Sequence, residues 1–497
     1  MLKIQNLKAL VVTSGWFNLL LFAKLQTKLI SITILHLPAP FIQSLQTAPG
    51  FNEEAFLATH QLQQQLTSIR INPAKKAGYR AYALAGEKVN AITIEKILWS
   101  SNGFYLSSRP SFTLDPLLHA GAYYVQEASS MFLEEVVTQH INLYQPVKVL
   151  DLCAAPGGKS TLLQSIISDK SLLVSNEVIK TRVNILAENI TKWGAANVVV
   201  TNNDPKDFQR LPGFFDVIVV DAPCSGSGLF RKDAAAVKEW SLQNVQLCSQ
   251  RQQRIVADIL PALKDGGLLI YSTCSYSEAE DEAIADWMIT ELKLESLALK
   301  IDGSWGIVET ISPGNKAFGY RFYPDKVKGE GFFIAAFKKA GTAQMEDRKP
   351  AKNKLEKLSK KEINVVAPWL YRPADFIYIK QHEEAIAIPQ HLENDLATIQ
   401  KNLYIKKAGV KLGQVVREEL IPDHQLAISN IINPFTPSVE VEIETALQYL
   451  RKQDINIESQ QKGWALLTYQ QQPLGWVKIL PNRINNYYPK EWRILHK

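Results

Sequence analysis

The chain has 497 residues, 46% of them hydrophobic and 21% charged, which suits a globular protein and is too long for one ordinary domain. Four cysteines, Cys153, Cys224, Cys248 and Cys274, form no C-x-x-C pair, which argues against a structural zinc site and a secreted disulfide framework and favours a reducing, cytoplasmic setting. The formal charge is +6, and nine Lys/Arg against three Asp/Glu between Lys338 and Lys361 account for all of it; such a local basic segment fits contact with nucleic acid, and equally a solvated linker.

Residues 1–36 carry four lysines and no acid, and the first acidic residue of the chain is Glu53. Basic ends around an apolar run are the pattern of a signal peptide, but Thr13, Ser14, Gly15 and Asn18 interrupt the run and no small-residue cleavage site follows. The run is also too short and polar to span a membrane. An atypical extension outside the fold is expected here, with the folded protein beginning near Leu37. Residues 37–115 mix helix and strand signals and suggest a small α+β domain. Its basic stretch "SIRINPAKKAGYR" (68–80) makes Arg70 and Lys75 candidates for phosphate contact or for ordinary surface.

From 116 to 339 short apolar, β-rich runs alternate with helical stretches, the pattern of a parallel α/β sheet. Strands are expected at "VKVLDL" (147–152), "LLVSNEV" (172–178), "NVVVTNND" (197–204), "FDVIVVDAP" (215–223) and "GGLLIYSTCS" (266–275). Asp151, Glu177, Asp204, Asp221 and Cys274 close these runs, and ligands of open α/β sheets bind at the carboxyl ends of strands. Cys248 lies in the helical "QLCSQRQQRIVADIL" and is expected in the core. A Lys-rich linker (340–365) then leads to a C-terminal region (366–497) rich in short strands. Its closing "KGWALLTYQQQPLGWVKILPNRINNYYPKEWRI" interleaves aromatics with Lys and Arg, a texture of RNA-binding β domains and also of aromatic β cores.

The loop "DLCAAPGGKST" (151–161) is not a Walker A sequence, because Cys153 stands where its first glycine is needed, and it is not G-x-G-x-x-G. What remains is a strand, a tight loop of small residues and a helix start, where backbone N–H groups approach a ligand closely. Glu177 is suited to ribose hydroxyls and Asp204 to an adenine amino group. A nucleoside ligand without a triphosphate fits, and S-adenosylmethionine is the leading candidate.

"GAYYVQEASSM", "DLCAAPGGKST", "FDVIVVDAPCSGSG", "GGLLIYSTCSYSEAEDE" and "GYRFYPDKVKGEGFF" resemble, in order, the motifs of the Sun/Fmu-type RNA cytosine 5-methyltransferases. The tail with "PLGWVK" resembles the subgroup that acts on small-subunit ribosomal RNA and ends in a PUA-like domain. The resemblance implies a Rossmann-like class I methyltransferase sheet, with S-adenosylmethionine held by Cys153, Ala154, Ala155, Pro156, Gly157, Gly158, Lys159, Glu177, Asp204 and Asp221. It implies Cys274 as nucleophile and Cys224 as the thiol that assists release, with Asp221 on the amino edge of the cytosine and Lys159 near cofactor and base. From the residues alone the order of the thiols stays open, since DNA cytosine methyltransferases use a Pro-Cys thiol as nucleophile. The expected partner is RNA, as small-subunit rRNA or the assembled subunit, for a monomer without metal or membrane contact. Transfer RNA as substrate and a catalytically silent ribosome-assembly factor are the competing expectations.

Overall fold

The computed structural model describes residues 36–62, 66–75, 94–341 and 355–495. The N-terminal extension up to residue 35, the end of the basic stretch 68–80 and residues 342–354 of the basic linker lie outside the described residues. Among those described, no helix is long and apolar enough to cross a membrane.

Four strands, β1 (Thr67–Ile71), β2 (Ile94–Lys96), β3 (Gly103–Leu106) and β4 (Tyr123–Val125), form a small antiparallel sheet in the order β2-β3-β1-β4. The sequence then builds the large sheet from β5 (Lys148–Asp151), β6 (Leu172–Asn176), β7 (Val198–Thr201), β8 (Phe215–Asp221) and β9 (Leu263–Thr273). These five are parallel in the order β9-β8-β5-β6-β7. β10 (Glu295–Leu297), β11 (Val308–Ile311), β12 (Phe318–Phe322) and β13 (Phe332–Lys338) extend the β9 side, with β13 antiparallel to β9. The class is the expected α/β, Rossmann-like one.

Burial on both faces explains why the central strands read as continuous apolar runs. Val149, Val217 and Val219 point into one core, where α1 (Gly158–Ile166) and α2 (Lys180–Trp193) supply Leu162, Leu163, Val183, Leu186 and Ile190. Leu150, Ile218 and Val220 point to the other, with Ile255, Val256 and Ile259 of α3 (Leu242–Ile259) and Ile284 and Met288 of α4 (Glu282–Thr290). Cys248 of α3 is buried as a core residue.

The C-terminal region contributes to this same sheet. β14 (Phe376–Gln381) and β15 (Glu384–Pro389) belong to a separate four-stranded sheet, but after α5 (Glu393–Asn402) the strand β16 (Ile405–Ala408) pairs antiparallel with β7. Leu392, Leu396, Ile399 and Leu403 around α5 join the core on the α3–α4 face. β17 (Val410–Val416) and β18 (Glu419–Pro422) complete the β14–β15 sheet, and β19 (Ser438–Glu440), β20 (Gly463–Tyr469), β21 (Gln472–Leu480) and β22 (Arg483–Asn486) form the last one.

Arg70 and Lys75 are not surface cations. Arg70 is buried, stacks on Trp193, and donates to Gln126 Oε1 (2.8 Å), Thr161 Oγ1 (2.6 Å) and the Gly158 carbonyl (3.3 Å). Burial lowers its pKa to about 9. Lys75 Nζ donates to the carbonyls of Ala120 (2.5 Å), Lys192 (2.8 Å) and Ile428 (2.9 Å), tying the N-terminal sheet, α2 and the C-terminal region together, and burial lowers its pKa to about 7. Basic composition marked both residues, but composition does not say whether a cation faces water or backbone carbonyls.

Candidate active site

Strand order reverses between β5 and β8, so the loops that follow them diverge and leave a crevice. The loop after β5 turns at Gly157, whose φ of +120° disfavours a side chain, and runs into α1 at Gly158. Other side chains grip its carbonyls: Arg182 donates to Ala155 O (2.6 Å), Asn189 to Pro156 O (2.8 Å) and Asn176 to Leu152 O (3.1 Å). A cavity of about 180 Å³ lies between this loop, Lys159, Asp221 and the stretch 124–130.

Asp151 at the end of β5 is fully buried; its Oδ2 accepts from Ser160 Oγ (2.7 Å), while Oδ1 has no hydrogen-bond partner among the described residues. Burial raises its pKa to about 7, against the opposing Ser160 bond. Glu177, just past β6, is buried; it accepts from the Ile179 N–H (2.9 Å) and faces Arg182 at 3.5 Å. Asp204 stands three residues beyond the end of β7, not on the strand. It is half-buried and caps the short helix Pro205–Arg210 by accepting from the Lys206 N–H (3.1 Å). Buried carboxylates beside exposed loop backbone, one with an unpaired oxygen, fit a nucleoside with a cationic tail better than a phosphate.

A folded-state pKa above the unfolded value means that the Asp151 carboxyl favours the fold fully only near and below pH 3.8, and that this contribution is lost as pH rises towards about 7. An Asp151→Asn protein lacks the titration but keeps the shape. The wild type should therefore lose on the order of 3 kcal/mol relative to Asp151→Asn between pH 4 and 7. Thermal or urea unfolding across that range checks this, and a pH-independent difference would contradict it.

Across the crevice, Asp221 ends β8. Its Oδ2 pairs with Lys159 Nζ at 2.7 Å and its Oδ1 accepts from Ser272 Oγ at 2.8 Å. Burial opposes the Lys159 charge, but Asp221, Asp151 and Cys274 outweigh it and hold its pKa above the ordinary lysine value. Lys159 also lies over the Phe332 ring.

Cys224 and Cys274 are free thiols fifty residues apart in sequence, with their Sγ atoms 3.0 Å apart. Each sits on the turn that follows its strand. The turns can approach because Gly228 has no side chain: a Cβ there would lie 2.4 Å from the Gly331 carbonyl oxygen and 2.8 Å from that of Cys274. The hydrogen bond to Cys274 and burial together raise the Cys224 pKa well above the usual thiol value. Either sulfur of the pair can donate to the other, and the contact places the two thiols within reach of one reacting atom. Cys153 stands apart as a half-buried thiol, its pKa raised by desolvation and by Asp221 and Asp151, so it is a poor nucleophile.

Reading the sequence brought the cysteines, Asp221, Lys159 and the loop to one crevice edge but missed Arg182, Asn176, Asn189 and Ser272. Their only signal was nearness to a strand end or position on the facing side of α2. It also missed Asn203, whose side chain donates to Tyr404 O and accepts from Tyr404 N–H, both at 3.0 Å, tying the loop before Asp204 to the C-terminal region.

Three family models match the chain: an N-terminal domain of 16S rRNA methyltransferase RsmF at 37–128, 16S rRNA methyltransferase RsmB/F at 139–338, and the RsmF PUA domain at 436–494. The chain is 30% identical over 481 residues to ribosomal RNA small subunit methyltransferase F of Vibrio vulnificus, covering 92% of this chain and 98% of that one. The Vibrio cholerae protein of the same name is 29% identical over 474 residues, with the same coverage. Among solved structures, NSun6 from Pyrococcus horikoshii, determined with the S-adenosylmethionine analogue SFG, superposes with a TM-score of 0.50 at 18% identity, over 61% of this chain and 99% of that one, a likeness of fold.

Proposed function

Because the chain belongs to the 16S rRNA methyltransferase RsmB/F family, we propose that it methylates carbon 5 of a cytosine in small-subunit ribosomal RNA through a covalent cysteine adduct. The cofactor is S-adenosylmethionine. When bound, it supplies an electrophilic methyl group. Asp151, Glu177, Asp204 and the loop from Cys153 to Lys159 are the residues that would hold it.

The observation that carries the proposal is the pair of thiols at 3.0 Å beside the Lys159–Asp221 ion pair. Carbon 5 of cytosine is unreactive while the ring is conjugated. The Cys274 thiolate adds to carbon 6, forming a C–S bond, and the displaced electron pair makes carbon 5 nucleophilic. Asp221 accepts from the amino edge of the base and so orients carbon 6 towards Cys274, and Lys159 keeps that carboxylate in place. Once carbon 5 is methylated, Cys224 releases its proton to solvent and, as the thiolate, takes the proton from carbon 5. The C–H pair restores the ring double bond, and the C–S pair leaves with Cys274. The base must be unpaired or turned out to reach the crevice, and the PUA-like end of the chain is suited to holding the RNA.

Small-subunit RNA and assembled subunits, incubated with methyl-labelled cofactor and digested to nucleosides, should yield labelled 5-methylcytidine. Label in another nucleoside would contradict the carbon 5 chemistry. Label on transfer RNA alone would contradict the substrate, and no label on any RNA would leave a binding factor.

A further inference from the structure

Each cysteine of the pair is followed by a serine, and both serines reach one buried carboxylate. Ser225 donates through its backbone N–H to Glu280 Oε1 (2.8 Å) and through its hydroxyl to Oε2 (2.5 Å), while Ser275 Oγ donates to the same Oε2 (2.7 Å). Gln252 on α3 bridges Glu280 Oε1 (3.2 Å) to the carbonyl of Pro223 (3.1 Å), the residue before Cys224. Tyr271, on β9 three residues before Cys274, donates its hydroxyl to the Glu280 carbonyl (2.6 Å). Glu280 itself is wholly buried.

A buried carboxylate is costly to desolvate, and an apolar residue would fill the same space without that cost. Here its four accepted bonds converge from the two thiol-bearing turns and from the helix behind them. Resting on the reading of Cys224 and Cys274 as the reacting thiols, we propose that Glu280 is a positioning residue that fixes the two sulfurs relative to each other. Each turn is thereby registered against a common anchor, which a mechanism that alternates between two sulfurs requires. Its charge has a second consequence: it adds to the hydrogen bond and burial that raise the Cys224 pKa, which makes the Cys224 thiolate the stronger base once formed. The other ionisable groups around Cys224 are Cys274 and Tyr271, with the Lys159–Asp221 pair beyond Cys274 and Cys248 and Arg251 on the side of Glu280.

Glu280→Gln keeps the size but replaces one acceptor oxygen by a donor and removes the charge. Turnover should fall on the order of 10²-fold, the cost of about 1 Å of misplacement, with the cofactor KM unchanged. Alkylation by iodoacetamide, followed peptide by peptide across pH, should modify Cys224 at lower pH than in the wild type. Glu280→Asp should return that pH profile towards the wild type while turnover stays low, because the shorter side chain restores the charge without the reach. Wild-type turnover with a wild-type alkylation profile in Glu280→Gln would overturn the proposal. So would a turnover loss that vanishes once corrected for the folded fraction. Alkylation needs neither RNA nor cofactor, so it decides the role of Glu280 even if the wild type methylates no cytosine.

Discussion

A chain ended after Gly341 should lose its cofactor site along with its C-terminal region. Removing the region strips β16 from β7, leaving the backbone of Val199, Val200 and Thr201 as an unpaired apolar edge. It also uncovers the face of the sheet that Leu392, Leu396, Ile399 and Leu403 cover. At about 1.5–3 kcal/mol for each large aliphatic side chain, four such losses rival the whole stability of a domain. Lys148 loses Asp395 (2.6 Å), Arg210 loses the Asn402 carbonyl (2.8 Å), and Asn203 loses both bonds to Tyr404. Asn203 precedes Asp204, so the loop proposed to meet the adenine is released. The expected result is aggregated protein, or soluble protein whose affinity for a cofactor analogue falls by at least about 100-fold, roughly the 3 kcal/mol of the lost loop contacts. Calorimetric titration of the shortened chain checks this. A folded product with full-length affinity would mean that the region serves RNA binding alone, one of the two readings its sequence texture offered.

That difference shows where sequence stops being informative. β5 to β9 were legible because their apolar runs are local and buried on both faces. β16 lies in "LYIKKAGV", short and basic, and pairs with a strand some two hundred residues earlier, so no local pattern announces it. Cys224 and Cys274 were legible as strand-end thiols, but their separation follows from the sheet order β9-β8-β5. Glu280 lies in "SEAEDE", an acidic run that reads as the solvated start of a helix. Only the fold turns that run inward, under Ser225 and Ser275. Arg70 and Lys75 err in the opposite sense: they look like phosphate ligands and are buried donors to side-chain and backbone oxygens.

Cys274→Ala should abolish methyl transfer, with a loss on the order of 10⁴-fold or more, because the ring of the base is then never opened to attack. Cys224→Ala should fail at a different point. The Cys274 thiolate still adds to carbon 6, yet the thiol proposed to take the carbon 5 proton is gone, so turnover falls by a similar factor while the protein stays bonded to its RNA. Loss of the Cys224 hydrogen bond, 3.0 Å long in the intact pair, should also slow the first addition, because the Cys274 thiolate loses its donor. Two substitutions with equal effects on turnover thus leave different species behind, and equal turnover losses alone would not distinguish them.

The most direct measurement is a denaturing gel of the two variants, each incubated with cofactor and small-subunit RNA. The expected result is a retarded protein–RNA band with Cys224→Ala and none with Cys274→Ala. A band with Cys274→Ala and none with Cys224→Ala would contradict it and assign the attack to Cys224.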